Sequence, residues 1–144
     1  MPTIKPLGWM LMTLASGFAI GMAVQGGRLG AQADSRVFEL RTYTTPEGKL
    51  ADLQARFRNH TTQLFEKHGI TNIGYWVPQD APLSENTLIY IIAYPNREEA
   101  KKRWGAFASD PEWQKARTAS ELQGRLTAKV ESVFMSPADF SPMK

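Results

Sequence analysis

Three side chains on one short stretch carry the strongest chemical signal in this chain. Glu39, Arg41 and Tyr43 alternate with Leu40 and Thr42 in the run 36–43. In an extended strand, successive members of such a set stand about 7 Å apart on one face, two rises of about 3.3 Å. A carboxylate, a guanidinium and a phenol in that arrangement can bind a carboxylate or an enolate, with Glu39 as general base and Arg41 as anion clamp. The same pair can instead be a structural ion pair at a subunit interface, where leaving either partner alone would cost several kcal/mol. Both readings stand at this level.

Further candidates are scattered. Tyr90 and Tyr94 face alike on a later apolar run and can line a pocket with Trp76, which makes Glu39, Arg41, Tyr43, Trp76 and Tyr90 the candidate ligand set. His60 lies between Phe57 and Leu64 on a helical stretch, close to its apolar stripe, and joins Glu39 and Arg41 as a catalytic candidate. His68 follows eight residues on, about 12 Å by helical rise, too far to share one metal ion with His60. No second ligand is visible, so no metal site and no cofactor is expected. Trp104, Phe107 and Trp113 recur at helical spacing and read as core. Lys101, Lys102 and Arg103 read as a solvated helix surface. The sequon Asn59-His60-Thr61 falls inside a helix and reads as accidental.

Composition bounds what these residues can serve. The 144 residues, 42% hydrophobic and 10% aromatic, suit one globular domain. The absence of cysteine excludes disulfides, thiolate nucleophiles and cysteine-ligated metal centres. Of 17 basic residues, two (Lys5 and Arg28) precede Asp34, so 15 face 14 acidic ones over the remainder. That near balance lacks the basic stripe of a nucleic-acid binder.

Residues 1–33 read as a secretory leader. Lys5 supplies the positive start, residues 7–24 are uncharged and mostly apolar, and Ala31-Gln32-Ala33 places small side chains where a signal peptidase cuts. Cleavage is expected after Ala33. The alternative is an uncleaved anchor, the only contact with a membrane this chain would make. An apolar run of about 18 residues is near the lower limit for spanning a bilayer, and three internal glycines weaken such a helix. Either way the domain 34–144 is expected to be periplasmic or secreted.

The elements that position the candidates follow from periodicity and punctuation. Strand 36–43 is followed by the turn Thr45-Pro46-Glu47-Gly48. A helix then starts near Lys49, carries Leu50, Leu53, Phe57, Leu64 and Phe65 as one stripe, and stops at Gly69. Strand 70–77, with Asn72, Gly74 and Trp76 on one face, leads through a polar connector (78–86) to strand 87–94. That third strand is apolar almost throughout and is expected to be central, covered on both faces. Asn96 with Glu99 makes a capping-box start, and Asp110-Pro111-Glu112 restarts the helix. Strand 128–135 and a proline-bearing tail complete the chain.

The order is βαββαβ, an α+β ferredoxin-like fold with an antiparallel four-stranded sheet and both helices on one face. Its other face, expected to hold Trp76 and aromatic residues of the third strand, is too apolar to leave in water. Homodimerisation through the sheets is the expected solution.

Five segments resemble the NIPSNAP family in order and spacing: Val37-Phe38-Glu39-Leu40-Arg41-Thr42-Tyr43, Gly48-Lys49-Leu50, Glu66-Lys67-His68-Gly69, Gly74-Tyr75-Trp76 and Asp110-Pro111-Glu112-Trp113. The resemblance spans residues 36–142 and implies a dimeric α/β-barrel in which two such monomers face their sheets together. It implies no settled reaction. Mitochondrial members are linked to membrane trafficking, and this chain departs from them in its leader. The wider superfamily shape hosts haem-degrading enzymes, cofactor-independent monooxygenases, decarboxylase-like enzymes and isomerases. The leading expectation is therefore a protein that binds a small organic ligand or a protein partner. The alternatives are a cofactor-independent monooxygenase or isomerase acting on a small aromatic or carbonyl substrate, and haem binding through His60, the helical histidine that haem-binding relatives use.

Overall fold

The computed structural model describes residues 36–144; the expected leader and its cleavage point lie outside the described residues. Four strands, β1 (Val37–Thr44), β2 (Thr71–Trp76), β3 (Thr87–Tyr94) and β4 (Lys129–Met135), form one antiparallel sheet in the order β2-β3-β1-β4. The two interior strands are β3, apolar almost throughout, and β1. The fold is the expected α+β, ferredoxin-like βαββαβ arrangement. No helix among the described residues is long and apolar enough to cross a membrane.

Between β1 and β2 the chain runs helically from α1 (Leu50–Arg56) through a π-turn (Phe57–Thr61) into α2 (Thr62–Lys67). A π-turn leaves carbonyls without their usual i+4 donor. The backbone amide five residues on takes over, as Thr62 N–H does for the Phe57 carbonyl. Side chains at the same spacing add to it: Thr61 Oγ1 donates to the Arg56 carbonyl at 3.3 Å, Thr62 Oγ1 to Phe57 at 3.2 Å and Gln63 Nε2 to Arg58 at 3.0 Å. Gly69 then takes φ +72°, the left-handed geometry that ends the helix.

The connector before β3 folds into a single helical turn, α3 (Leu83–Asn86). Helix α4 (Arg97–Ser109) starts at Asn96, whose Oδ1 accepts from the Glu99 amide at 2.8 Å. The reciprocal arm of a capping box is replaced by an ion pair, Arg103 Nε to Glu99 Oε2 at 2.8 Å. Helix α5 (Pro111–Ser120) starts at Asp110, whose Oδ1 accepts from the Glu112 amide at 2.7 Å.

The pairing register decides which side chains the helices cover. Opposite residues of an antiparallel pair share a face, so Glu39, Arg41 and Tyr43 of β1 lie with Ile92, Tyr90 and Leu88 of β3 and with Phe134, Ser132 and Val130 of β4. This is the helix-covered face: Tyr43, Leu88, Tyr90, Ile92 and Tyr94 belong to one core with Leu53, Phe57 and Phe65. The other face carries Leu40, Thr42, Ile89 and Ile91, all half-buried, together with Trp76 (50% exposed) and Val133 (54%).

Three expectations are corrected here. The third-strand tyrosines lie under the helices, away from the open face, because Tyr90 and Tyr94 are on the odd-numbered register of Arg41 and Val37. Strict alternation also fails in β2. Asn72 pairs with Ile92 and Gly74 with Ile91, which makes Ile73 the extra residue of a β-bulge. The bulge puts Asn72 on the covered face, where its Nδ2 donates to the Thr62 carbonyl at 3.0 Å, and leaves Gly74 and Trp76 on the open one. The third strand is interior, but helices cover only one of its faces.

The C-terminal tail lies over one end of the open face, forming a shallow pocket with Phe38 and Ile91; Phe38 is 5% exposed in consequence. Arg36 Nη1 donates to the Lys144 carbonyl at 3.3 Å, so the two ends of the described domain meet.

Candidate functional site

The alternation that places Glu39, Arg41 and Tyr43 on one face also places them under the helices, where they form a closed polar chain. Glu39, 3% exposed, is engaged on both oxygens. Oε1 accepts from Arg41 Nη1 at 2.5 Å and Ser132 Oγ at 2.6 Å, and Oε2 accepts from the Tyr94 hydroxyl at 3.0 Å. The Arg41 guanidinium lies over the Trp104 ring, 4.1 Å from its centroid, and its Nη2 reaches the Tyr43 hydroxyl at 3.4 Å. Tyr90 donates to the same Tyr43 oxygen at 3.0 Å.

Electrostatics follow from this enclosure. Burial works against the charge of Arg41, but the Tyr90 and Tyr43 phenols and the Glu39 carboxylate outweigh it, so its pKa is held above the ordinary value. Burial pushes the Tyr90 and Tyr94 phenols well up, which keeps both as neutral donors. A carboxylate holding three donors has little accepting capacity left for a substrate proton. Glu39 therefore acts as the brace of a structural network inside one monomer, and the pair does not belong to the open sheet face.

Tyr43 also lines a cavity. Its oxygen accepts from both Arg41 and Tyr90, so its own O–H remains to donate. The cavity, about 210 Å³, lies between sheet and helices, and Tyr43, Phe57, Phe65, Trp104, Phe107 and Trp113 supply its aromatic walls. The rings interlock: Phe107 and Trp113 are 4.6 Å apart by centroid, Phe65 and Phe107 4.7 Å. At one side Arg56 enters, its Nη1 bonded to Glu121 Oε1 at 3.0 Å and to Ser120 Oγ at 3.3 Å. The arrangement suits a flat, apolar molecule that offers an acceptor to Tyr43.

The sequence candidates divide accordingly. Glu39, Arg41, Tyr43 and Tyr90 come together. Trp76 does not join them: it pairs with Ile89 on the opposite face, with its ring folded over Gly74. His60 is exposed on the outer side of the π-turn, in an open groove with Asn59, Gln63 and Lys115, and does not line the aromatic cavity. Among the described residues no three His, Asp or Glu side chains gather as metal ligands.

Two functional-looking groups were missed. Arg56 interrupts the stripe of Leu50, Leu53 and Phe57, and a charge at a core position was the available signal. Asp110 carries only a cap signal in the sequence. Its Oδ2 also meets His68 Nε2 at 2.7 Å and Lys67 Nζ at 2.9 Å, and bonds from Lys67, His68 and the Glu112 amide hold its carboxyl far below the usual aspartate range.

Comparison with known proteins adds a family to this geometry. No curated protein matches the sequence. Among solved structures, a NIPSNAP family protein from Agrobacterium tumefaciens is 26% identical, with a TM-score of 0.66 over 76% of this chain and 99% of that one. A NIPSNAP-like domain protein from Burkholderia xenovorans is 21% identical, with a TM-score of 0.66 over 76% and 90% of the two chains. SnoaB, a cofactor-independent oxygenase from Streptomyces nogalater, is similar in fold alone, with 13% identity and a TM-score of 0.52 over 75% of this chain and 98% of that one. The NIPSNAP family model matches residues 38–142, which takes in all of the sheet and helices but the first residue of β1, and the chain belongs to the NIPSNAP family.

Proposed function

We propose that this is an exported, homodimeric NIPSNAP domain that binds a small aromatic molecule between its sheet and its helices. The observation that carries the reading is the cavity of about 210 Å³ with six aromatic side chains in its wall, among them Tyr43, whose hydroxyl oxygen accepts from Tyr90. That volume equals about seven waters at about 30 Å³ each, room for one ring with a short substituent. Apolar walls with few convergent polar groups are the usual make-up of a ligand site.

Dimerisation is supported by the open face, where Trp76 and Val133 stand half-exposed beside Leu40, Ile89 and Ile91. Export is supported by Lys5, the apolar run 7–24 and Ala31-Gln32-Ala33. A second reading, cofactor-independent oxygenation of a phenolic or enolisable substrate, is favoured by one observation, the free O–H of Tyr43 at the cavity wall, with Tyr43 as the proton donor to a developing enolate.

Benzyl alcohol, a neutral single ring, tests the cavity. It is expected to raise the melting temperature and to broaden its own NMR signals on binding. Ala108→Leu, which fills the cavity from α4, is expected to abolish both effects in a folded protein. Absence of binding by the unaltered protein, or undiminished binding by Ala108→Leu, would overturn the reading. Oxygen uptake with a phenolic substrate, lost in Tyr43→Phe, would favour the second reading.

A further inference from the structure

Resting on that cavity, we infer that its natural occupant is a planar aromatic carboxylate, and that Arg56 takes its acidic group in exchange for Glu121. Arg56 stands at the last position of α1, where the helix passes into the π-turn, and its side chain is 4% exposed. A guanidinium offers five N–H groups. Those of Arg56 meet Glu121 and Ser120 through Nη1, while its buried Nε has no partner. A buried N–H left unpaired costs free energy, and the contact that an incoming carboxylate can take over is that of Nη1 with Glu121.

Charge points the same way. The charged side chains lining the cavity are Arg56, Arg117 and Glu121, two cations sharing one carboxylate, since Arg117 Nε also lies 3.5 Å from Glu121 Oε2. A second carboxylate would balance the site. Glu121 is placed to yield: it caps the end of α5, its side chain is 20% exposed, and it can turn toward water. The Arg56 guanidinium lies 5.2 Å from the Trp113 ring centroid. The aromatic wall therefore continues to the cation, and one flat molecule can stack on the rings while its carboxylate reaches Arg56.

Benzoate, benzyl alcohol and acetate separate the contributions of ring and charge. By isothermal titration, benzoate is expected to bind about tenfold more tightly than benzyl alcohol, and acetate not measurably. Glu121→Gln removes the competing carboxylate and is expected to tighten benzoate severalfold, by far more than it changes benzyl alcohol. Arg56→Gln, where it folds, is expected to erase the preference for benzoate. Equal affinity of the unaltered protein for benzoate and benzyl alcohol, or a Glu121→Gln variant with unchanged benzoate affinity, would overturn the inference and leave the cavity reading intact. If neither ring compound binds, the cavity reading and this inference fall together.

Discussion

The Tyr94 hydroxyl donates a 3.0 Å hydrogen bond to Glu39 Oε2 from the neighbouring strand, and this bond completes the enclosure of the Glu39 carboxylate inside a single monomer. Arg41 and Ser132 hold the other oxygen. A network so placed governs the stability of the monomer.

Glu39→Gln should therefore destabilise the fold by about 3–5 kcal/mol, because Arg41 would remain buried without its carboxylate. Tyr94→Phe, which removes one donor to a charged acceptor, should cost about 1.5–3 kcal/mol. Urea denaturation measures both. Sedimentation of the folded variants should be unchanged, and a Glu39 variant that is well folded yet dissociated would contradict the placement of this pair.

Val133→Asp puts a charge on the half-exposed open face, where Trp76 and Ile91 also lie. Analytical ultracentrifugation should show the unaltered domain as a dimer and this variant as a monomer with an unchanged circular dichroism spectrum. A monomeric unaltered domain would remove the case for sheet-to-sheet pairing.

Asp110 gives a pH dependence of known sign. Bonds from Lys67, His68 and the Glu112 amide depress its folded pKa. The stability it contributes is thus present above the ordinary aspartate pKa of about 4 and is lost as pH falls from there toward the depressed folded value. Comparing urea midpoints of the unaltered protein and Asp110→Asn should show the largest gap near neutrality, narrowing below about pH 4. A gap that stays constant down to pH 2 would refute the linkage.

Thr61 tests the π-turn beside the cavity. Its side chain is buried and its hydroxyl satisfies the Arg56 carbonyl. Thr61→Val keeps the volume and should cost about 1 kcal/mol by chemical denaturation. An unchanged midpoint would mean that the turn does not depend on this bond.

The order of elements was legible in the sequence because local signals agreed with one another. Gly48 and Gly69 mark turns that require positive φ, and Asn96 and Asp110 are caps that bond as caps do. The face of each strand was harder to read. Both rows of β1 carry apolar residues, Val37 and Tyr43 on one and Phe38 and Leu40 on the other, so alternation alone could not say which row the helices cover. In β2 an isolated glycine was the hint of a bulge, and only the register against β3 reveals that Ile73 is the extra residue. The Asp110–His68 contact joins residues 42 positions apart and had no local signature. Arg56 did have one, a charge in an apolar stripe, and its meaning required knowing that Glu121 and Trp113 would stand opposite.

Because the Arg36 guanidinium grips the Lys144 carbonyl, the beginning and the end of this fold are neighbours. A short glycine-serine bridge can join them without strain, and new termini can be opened at the exposed Gln79–Asp80 segment between β2 and β3. Such a permuted chain would keep the sheet, the ring-lined hollow and its arginine.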